Sequence, residues 1–260
     1  KFGEVIDSFN QDRKNIDRNV TQEAHDYVES HPTLKSRKSM VIYNPQWMKG
    51  IVGIVASRLI ETYYRPTVVL TKSNGFVTGS ARSVAGFDLY QAVESCSDLL
   101  ENFGGHMYAA GLTMKEENVE AFTKRFNDYV EKNIDPNILV PQVDIDSELL
   151  FSDITDQFQR QLNSFQPFGP GNTAPVFMTT GASNRGDAKL VGVECDHLRM
   201  DLMQRQKPHT TIPAIAFQQP THYEWVRGGK PISVCYQIVE NHYRGTVSKQ
   251  LRVKDIKPER

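Results

Sequence analysis

Apolar residues Ile6, Phe9, Ile16, Val20, Ala24 and Tyr27 recur at three- and four-residue spacing among many charges, which predicts a helix over residues 1–30. His31-Pro32 breaks it. Residues 39–44 (SMVIYN) read as a short apolar strand ending at Asn44-Pro45. From Gly50 to Tyr64 the helical period returns, with Ile51, Ile54, Val55, Leu59 and Ile60 on one face, until Arg65-Pro66 stops it. The β-branched run 67–71 (TVVLT) predicts a buried strand. Ser73-Asn74-Gly75 is a turn signal before a second strand over 76–81. Residues 87–100 read as helix, Gly104-Gly105 as a compact turn before 106–114, and 115–132 as an amphipathic helix carrying Val119, Phe122, Phe126 and Val130. Strands alternating with helices predict an α/β layer with a mixed sheet, and 133–137 reads as a linker.

After Pro141 the character changes. Short β-rich runs at 175–179, 189–193, 197–202, 212–217, 232–238 and 250–256 are separated by turn residues, with one short helix at about 155–165. This spacing predicts a small all-β barrel or sandwich.

Composition narrows the class. The 260 residues, 39% apolar and 23% charged, fit a soluble globular chain of one or two domains. No apolar run reaches the length of a membrane span, there is no secretory signal, and the cytoplasm is the expected compartment. Lys1 as first residue suggests a piece of something longer. The net charge of −1 leaves nucleic-acid binding open, because local patches decide it. Cys96, Cys195 and Cys235 show no metal or disulfide spacing and are expected as reduced, core-packed thiols.

The chemistry-bearing residues are few. The seven histidines form no ligand pair, and Asp144-Ile145-Asp146, the one Asp-x-Asp, reads as a solvated strand edge, so no metal ligand is assigned. In Gly79-Ser80-Ala81-Arg82-Ser83, small residues let a ligand approach, Arg82 offers a planar fork suited to phosphate, and Ser80 and Ser83 add hydroxyls. The same string is also a plain strand-end turn, the reading composition alone favours. Gly104-Gly105-His106, followed by Ala109-Ala110-Gly111, exposes backbone N–H groups and an imidazole able to donate to phosphate or carry a proton; alone, it reads as a structural loop. Near the C-terminus, His242, Tyr243, Arg244, Lys249, Arg252, Lys254 and Lys257 form an aromatic and basic stretch: Leu251 and Val253 point one way, Arg252 and Lys254 the other. Single-strand-binding barrels use such surfaces, and so does an ordinary solvated strand.

Five strings, in order, resemble the RecJ family of the DHH superfamily: residues 50–59 (GIVGIVASRL), 79–83 with 86–89 (GSARS, GFDL), 103–106 with 109–111 (FGGH, AAG) and 165–172 (FQPFGPGN), with Asn10 and Arg13 fitting a connecting helix. The resemblance implies a connecting helix over 1–36, a mixed-sheet DHH-associated domain over 37–135, and an OB-type barrel over 140–260. It implies a substrate-gripping portion of a 5′→3′ single-stranded-DNA exonuclease of repair and recombination, inactive without the DHH domain and its manganese or magnesium. It assigns substrate phosphate to Ser80, Arg82, Gly104, Gly105 and His106, the last with a possible assisting role in catalysis. It gives nucleic-acid contact to Arg58, Tyr243, Arg244, Arg252 and Lys254, with single-stranded DNA, a helicase or a single-strand-binding protein as partners and no membrane. Met48 stands where the family has histidine, and Ala81 where it has a second glycine. The rival readings are a stand-alone single-strand-binding protein, and an oligoribonuclease or cyclic-dinucleotide phosphodiesterase of the same superfamily, which the trailing barrel weighs against.

Overall fold

In a computed structural model, which describes residues 2–204, 207–243 and 245–259, the chain divides into two compact units, residues 1–141 and 142–260. The first contains α1 (Phe2–Ser30), α2 (Pro32–Ser36), β1 (Met40–Tyr43), α3 (Val52–Tyr63), β2 (Thr67–Ser73), β3 (Phe76–Arg82), α4 (Leu89–Glu94), β4 (Asn102–His106), β5 (Ala109–Met114) and α5 (Val119–Asn133). The second contains β6 (Ser147–Glu148), α6 (Asp156–Asn163), β7 (Phe177–Asn184), β8 (Lys189–Val191), β9 (His197–Gln204), β10 (Lys207–Ala216), α7 (Tyr223–Arg227), β11 (Ile232–Tyr243) and β12 (Thr246–Pro258). No helix among the described residues is long and apolar enough to cross a membrane.

The first unit is a five-stranded mixed sheet in the order β1-β2-β3-β5-β4, with β1 parallel to β2 and the other pairs antiparallel. Strand alternation gives it two faces. Val68, Leu70, Val77, Ala81, Ala110, Leu112 and Met114 point to one side and pack with α4 and with Phe122, Phe126 and Val130 of α5. Met40, Ile42 and Val69 point to the other, under Val52, Val55, Ala56 and Leu59 of α3, which Val20, Ala24 and Val28 of α1 cover in turn. Helix α3 lies over β2 and β3, while Gly104, His106 and Gly111 on β4 and β5 stay exposed on that face.

Three expectations for this unit change. The helix expected over 87–100 is only six residues long: Asp88 caps its start by accepting from the Gln91 N–H, and at its end the Ser95 hydroxyl bonds the Ala92 carbonyl, a local bond that competes with helix. Gly104-Gly105 is not a turn but part of β4; the chain reverses at Met107-Tyr108. Gly105 sits at φ +151, and a Cβ there would overlap the Ala109 carbonyl, so glycine here lets β4 press onto β5. The linker expected at 133–137 belongs to the first unit, with Ile134 buried and Ile138 and Leu139 packed on the same core.

In the second unit, β7, β9, β10, β12 and β11 close into a ring: β7 pairs with β9, β9 with β10, β10 with β12 in parallel, β12 with β11, and β11 with β7. Taken in chain order within the ring, the strands run 1-2-3-5-4-1, the five-stranded Greek-key barrel of OB folds. Leu198, Met200, Leu202, Ala214, Ala216, Val234, Tyr236, Leu251 and Val253 fill its interior. The buried Tyr236 hydroxyl lies 2.7 Å from the Thr179 hydroxyl. All three cysteines are free; Cys96 is buried, but Cys195 is exposed at φ +54, a correction to the core packing expected of it.

Candidate nucleic-acid interface

The β3–β5–β4 register assembles the first candidate site. Arg82 pairs with Ala109, which pairs with His106; one step along, Ser80 pairs with Gly111, which pairs with Gly104. Directly paired residues share a face of a sheet, so Ser80, Arg82, Gly104 and His106 all stand on the side that α3 covers only in part. Arg82 and His106 lie two strand spacings apart, about 10 Å.

Local bonds fix each group. Arg82 Nη1 donates to Ser80 Oγ at 2.6 Å and to the Ala81 carbonyl at 2.9 Å, leaving Nη2 and Nε to donate elsewhere. Ser80 Oγ accepts from Arg82, so its own proton remains to be given. His106 Nδ1 accepts the Tyr108 N–H at 3.2 Å; in the neutral ring the proton then sits on Nε2, turned outward as a donor. The hairpin tip that carries this bond is tied by Ser83 N–H to the Tyr108 carbonyl at 3.0 Å and Leu89 N–H to the Met107 carbonyl at 3.1 Å.

Electrostatically, Arg82 stands out. Burial holds its guanidinium below the usual arginine value, with no charged neighbour contributing, and no carboxylate pairs with it among the described residues. A half-desolvated cation without an internal anion is poised to take one from outside, because a charge-assisted bond is strongest where water is already displaced. Gly104 and Gly111 beside it have ordinary φ values, and a Cβ on either would touch at most the Gly79 carbonyl oxygen at 4.0 Å. They leave bare backbone next to Ser80, in the row beside that of Arg82, Ala109 and His106.

A second surface lies on the barrel. Arg252 and Lys254 point outward while Leu251 and Val253 point in, as the alternation predicts. The register extends their row: Arg252 pairs with Ile215, which pairs with Arg199, which pairs with Lys189. Phe217, 44% exposed, follows the end of β10 two residues past Ile215, with the Arg252 guanidinium 5.9 Å from its ring centre and the His197 ring 5.0 Å away. Arg252 also borders a groove of about 390 Å³ lined by Gln159, Asn163, Gln166, Gln237 and His242. Of these strands, β9 and β10 are the second and third of the ring, whose face binds oligonucleotides in OB folds, while Arg252 and Lys254 stand on the fifth, β12, paired beside β10.

Other expected residues fall elsewhere. Arg58 is exposed on α3 and pairs with Glu61 at 3.1 Å. The Ser83 hydroxyl donates to the Phe87 carbonyl at 2.9 Å and is a structural group, not the free donor expected. Arg244 and the Tyr243 side chain lie outside the described residues. Met48 is 56% exposed beside buried Trp47, whose Nε1 donates to Glu23 at 2.9 Å. Asp146 accepts the Val176 N–H at 2.8 Å. Among the described residues no three His, Cys, Asp or Glu side chains converge, so their donor set does not fit a catalytic metal.

Sequence reasoning missed Gly111 as part of the site, and Lys189, His197, Arg199 and Phe217 on the barrel. The alternation of His197-Leu198-Arg199-Met200 was a usable signal for an outward basic pair. Nothing in the sequence places Phe217 beside Arg252, since that depends on the parallel pairing of β10 and β12.

Residues 37–132 match the DHHA1 domain family and residues 145–255 the RecJ OB domain family. The chain is 30% identical over 252 residues to the single-stranded-DNA-specific exonuclease RecJ of Bacillus subtilis, covering 96% of this chain and 31% of that protein. It is 30% identical to the protein of the same name from Escherichia coli, covering 97% and 44%. The crystal structure of RecJ in complex with Mn²⁺ from Thermus thermophilus superposes with a TM-score of 0.72 at 27% identity, over 96% of this chain and 35% of that one; its Mg²⁺ complex gives 0.70. The chain thus spans less than half the length of the relatives it matches.

Proposed function

We propose, from a chain that pairs a DHHA1 domain with a RecJ OB domain and matches a C-terminal portion of RecJ, that it is the substrate-gripping part of a metal-dependent exonuclease acting on single-stranded DNA from the 5′ end, in repair and recombination. Residues 37–135 hold the terminal nucleotides, residues 140–260 guide the following strand, and residues 1–36 connect to a catalytic domain. The manganese or magnesium that activates water there is held by that domain, and this portion is inactive by itself. Single-stranded DNA is the ligand, a helicase or single-strand-binding protein delivers it, and the setting is the cytoplasm.

The observation that carries this reading is Arg82: half-buried, free of carboxylates among the described residues, and on one sheet face with Ser80 and His106. Two donors from Arg82, one from Ser80 and one from His106 Nε2 suit a phosphate, whose oxygens accept several bonds at once. Bare backbone at Gly104 and Gly111 lets the attached nucleoside lie flat. On the barrel, Phe217 offers a face for a base and Arg252 and Lys254 take the backbone charge, a combination that binds single strands with little sequence preference.

The test is Arg82→Ala, measured against a 5′-phosphorylated and a 5′-hydroxyl oligonucleotide of one sequence. Loss of one charge-assisted interaction weakens phosphorylated binding by about 10- to 100-fold, with the hydroxyl strand far less affected. Equal loss for both strands removes Arg82 as the reader of the end.

A further inference from the structure

We infer that Gly53, in the first turn of α3, is a positioning residue for Arg82; the inference rests on the reading of Arg82 as a phosphate ligand. A Cβ built on Gly53 would lie 3.0 Å from Arg82 Nη2 and 3.2 Å from Ser80 Oγ. Both are closer than an ordinary carbon contact, so any side chain here pushes on the two groups that form the anion site. The guanidinium is held in place by the bonds of Nη1 to Ser80 Oγ and the Ala81 carbonyl. Helix α3 is therefore the wall against which Arg82 rests, and the absence of a side chain sets where that wall stands.

The backbone does not call for glycine at this position. Gly53 has no left-handed φ, and glycine is the poorest helix former after proline. The helix would be more stable with alanine. Space beside Arg82 is what glycine supplies, in contrast to Gly105, where a Cβ would strike the neighbouring backbone itself. The effect on function is preorganisation: a guanidinium already fixed in its binding pose loses less freedom when phosphate arrives.

This arrangement makes stability and phosphate recognition respond in opposite directions. The experiment uses Gly53→Ala, Gly53→Val and Arg82→Ala, each measured by thermal melting and by affinity for a 5′-phosphorylated and a 5′-hydroxyl oligothymidylate. Gly53→Ala is expected to melt at or above the wild-type temperature and to lose about three- to tenfold of its preference for the phosphorylated strand, as one charge-assisted bond is distorted rather than lost. Gly53→Val, with a branched side chain against the guanidinium, is expected to bring that preference down to the Arg82→Ala level while hydroxyl-strand affinity holds. If Arg82→Ala removes the preference and both Gly53 variants keep it, Gly53 does not position Arg82 and the inference is wrong, although the phosphate reading stands. If Arg82→Ala keeps the preference, the phosphate reading falls and this inference with it. Variants that melt lower and bind both strands equally worse show Gly53 to be only a packing residue, which also overturns the inference.

Discussion

Gly111→Val tests whether anything lies on the open half of the first sheet. Gly111 is exposed in β5, between Ser80 of β3 and Gly104 of β4, and a Cβ there meets only the Gly79 carbonyl oxygen at 4.0 Å. Valine fits its extended backbone and suits a strand better than glycine by up to about 1 kcal/mol. Thermal melting is therefore expected to rise by roughly 2–6 °C for a unit of this size. The same isopropyl group stands up between Ser80 and Gly104, in the row next to Arg82, Ala109 and His106, on the floor over which a nucleotide that reaches both Arg82 and His106 must lie. Losing one or two charge-assisted bonds costs about 2–4 kcal/mol, or roughly 30- to 1,000-fold in affinity. Calorimetry gives the first quantity, and fluorescence anisotropy with a short 5′-phosphorylated oligonucleotide the second. A variant that melts higher and still binds like the wild type would mean that the bare face is not a ligand seat.

The barrel surface gives a salt-dependence prediction. Changing both Arg252 and Lys254 to alanine removes two cations from the outer row, so the slope of log affinity against log salt for a single strand should flatten by up to about 1.4; an unchanged slope retires this surface. Phe217→Ala should cost about 1–3 kcal/mol of single-strand affinity, one stacked base, without changing the salt slope; undiminished affinity would show that no base stacks there. Asp187 and Asp201 are neighbours, with the Asp201 N–H donating to Asp187 Oδ1 at 3.2 Å. For Asp201, burial and the neighbouring carboxylate raise its value, while bonds to Asp201 lower that of Asp187. Because its value is raised in the folded state, Asp201 carries a cost that is absent in acid and grows as pH rises from the ordinary carboxyl value through the raised one. Asp201→Asn should therefore raise the melting temperature at neutral pH and change it little in acid, where Asp201 is already protonated; equal shifts at both would show that the pair carries no such cost.

Much of the fold was legible because its signals are local. Period and breakers placed α1, α3, β2, β3 and α5 within a few residues, and the alternation of Leu251-Arg252-Val253-Lys254 gave the correct facing of β12. The failures share one cause, a partner that the residue types do not reveal and only the folded backbone supplies. Gly104-Gly105 carries turn chemistry, but pairing with Ala110 and Gly111 draws it into a strand. Ser83 looks like a ligand hydroxyl until the chain brings the Phe87 carbonyl to it. Ile134 sits in a string of linker-like residues and is buried only because α5 lies against the sheet. The candidate site was readable as two separate strings, whereas their union depends on β5 running between them.

The central claim is that Arg82 and His106 grip one ligand. Nuclear magnetic resonance of the chain, with arginine and histidine side chains ¹⁵N-labelled, would follow both groups during titration with a 5′-phosphorylated dinucleotide. The account predicts that the Arg82 guanidinium and His106 Nε2 signals shift together along one saturation curve, and that Arg82→Ala abolishes the His106 shift at the same ligand concentrations. Saturable binding that moves neither signal, or that moves one while the other stays at its free position, would contradict it.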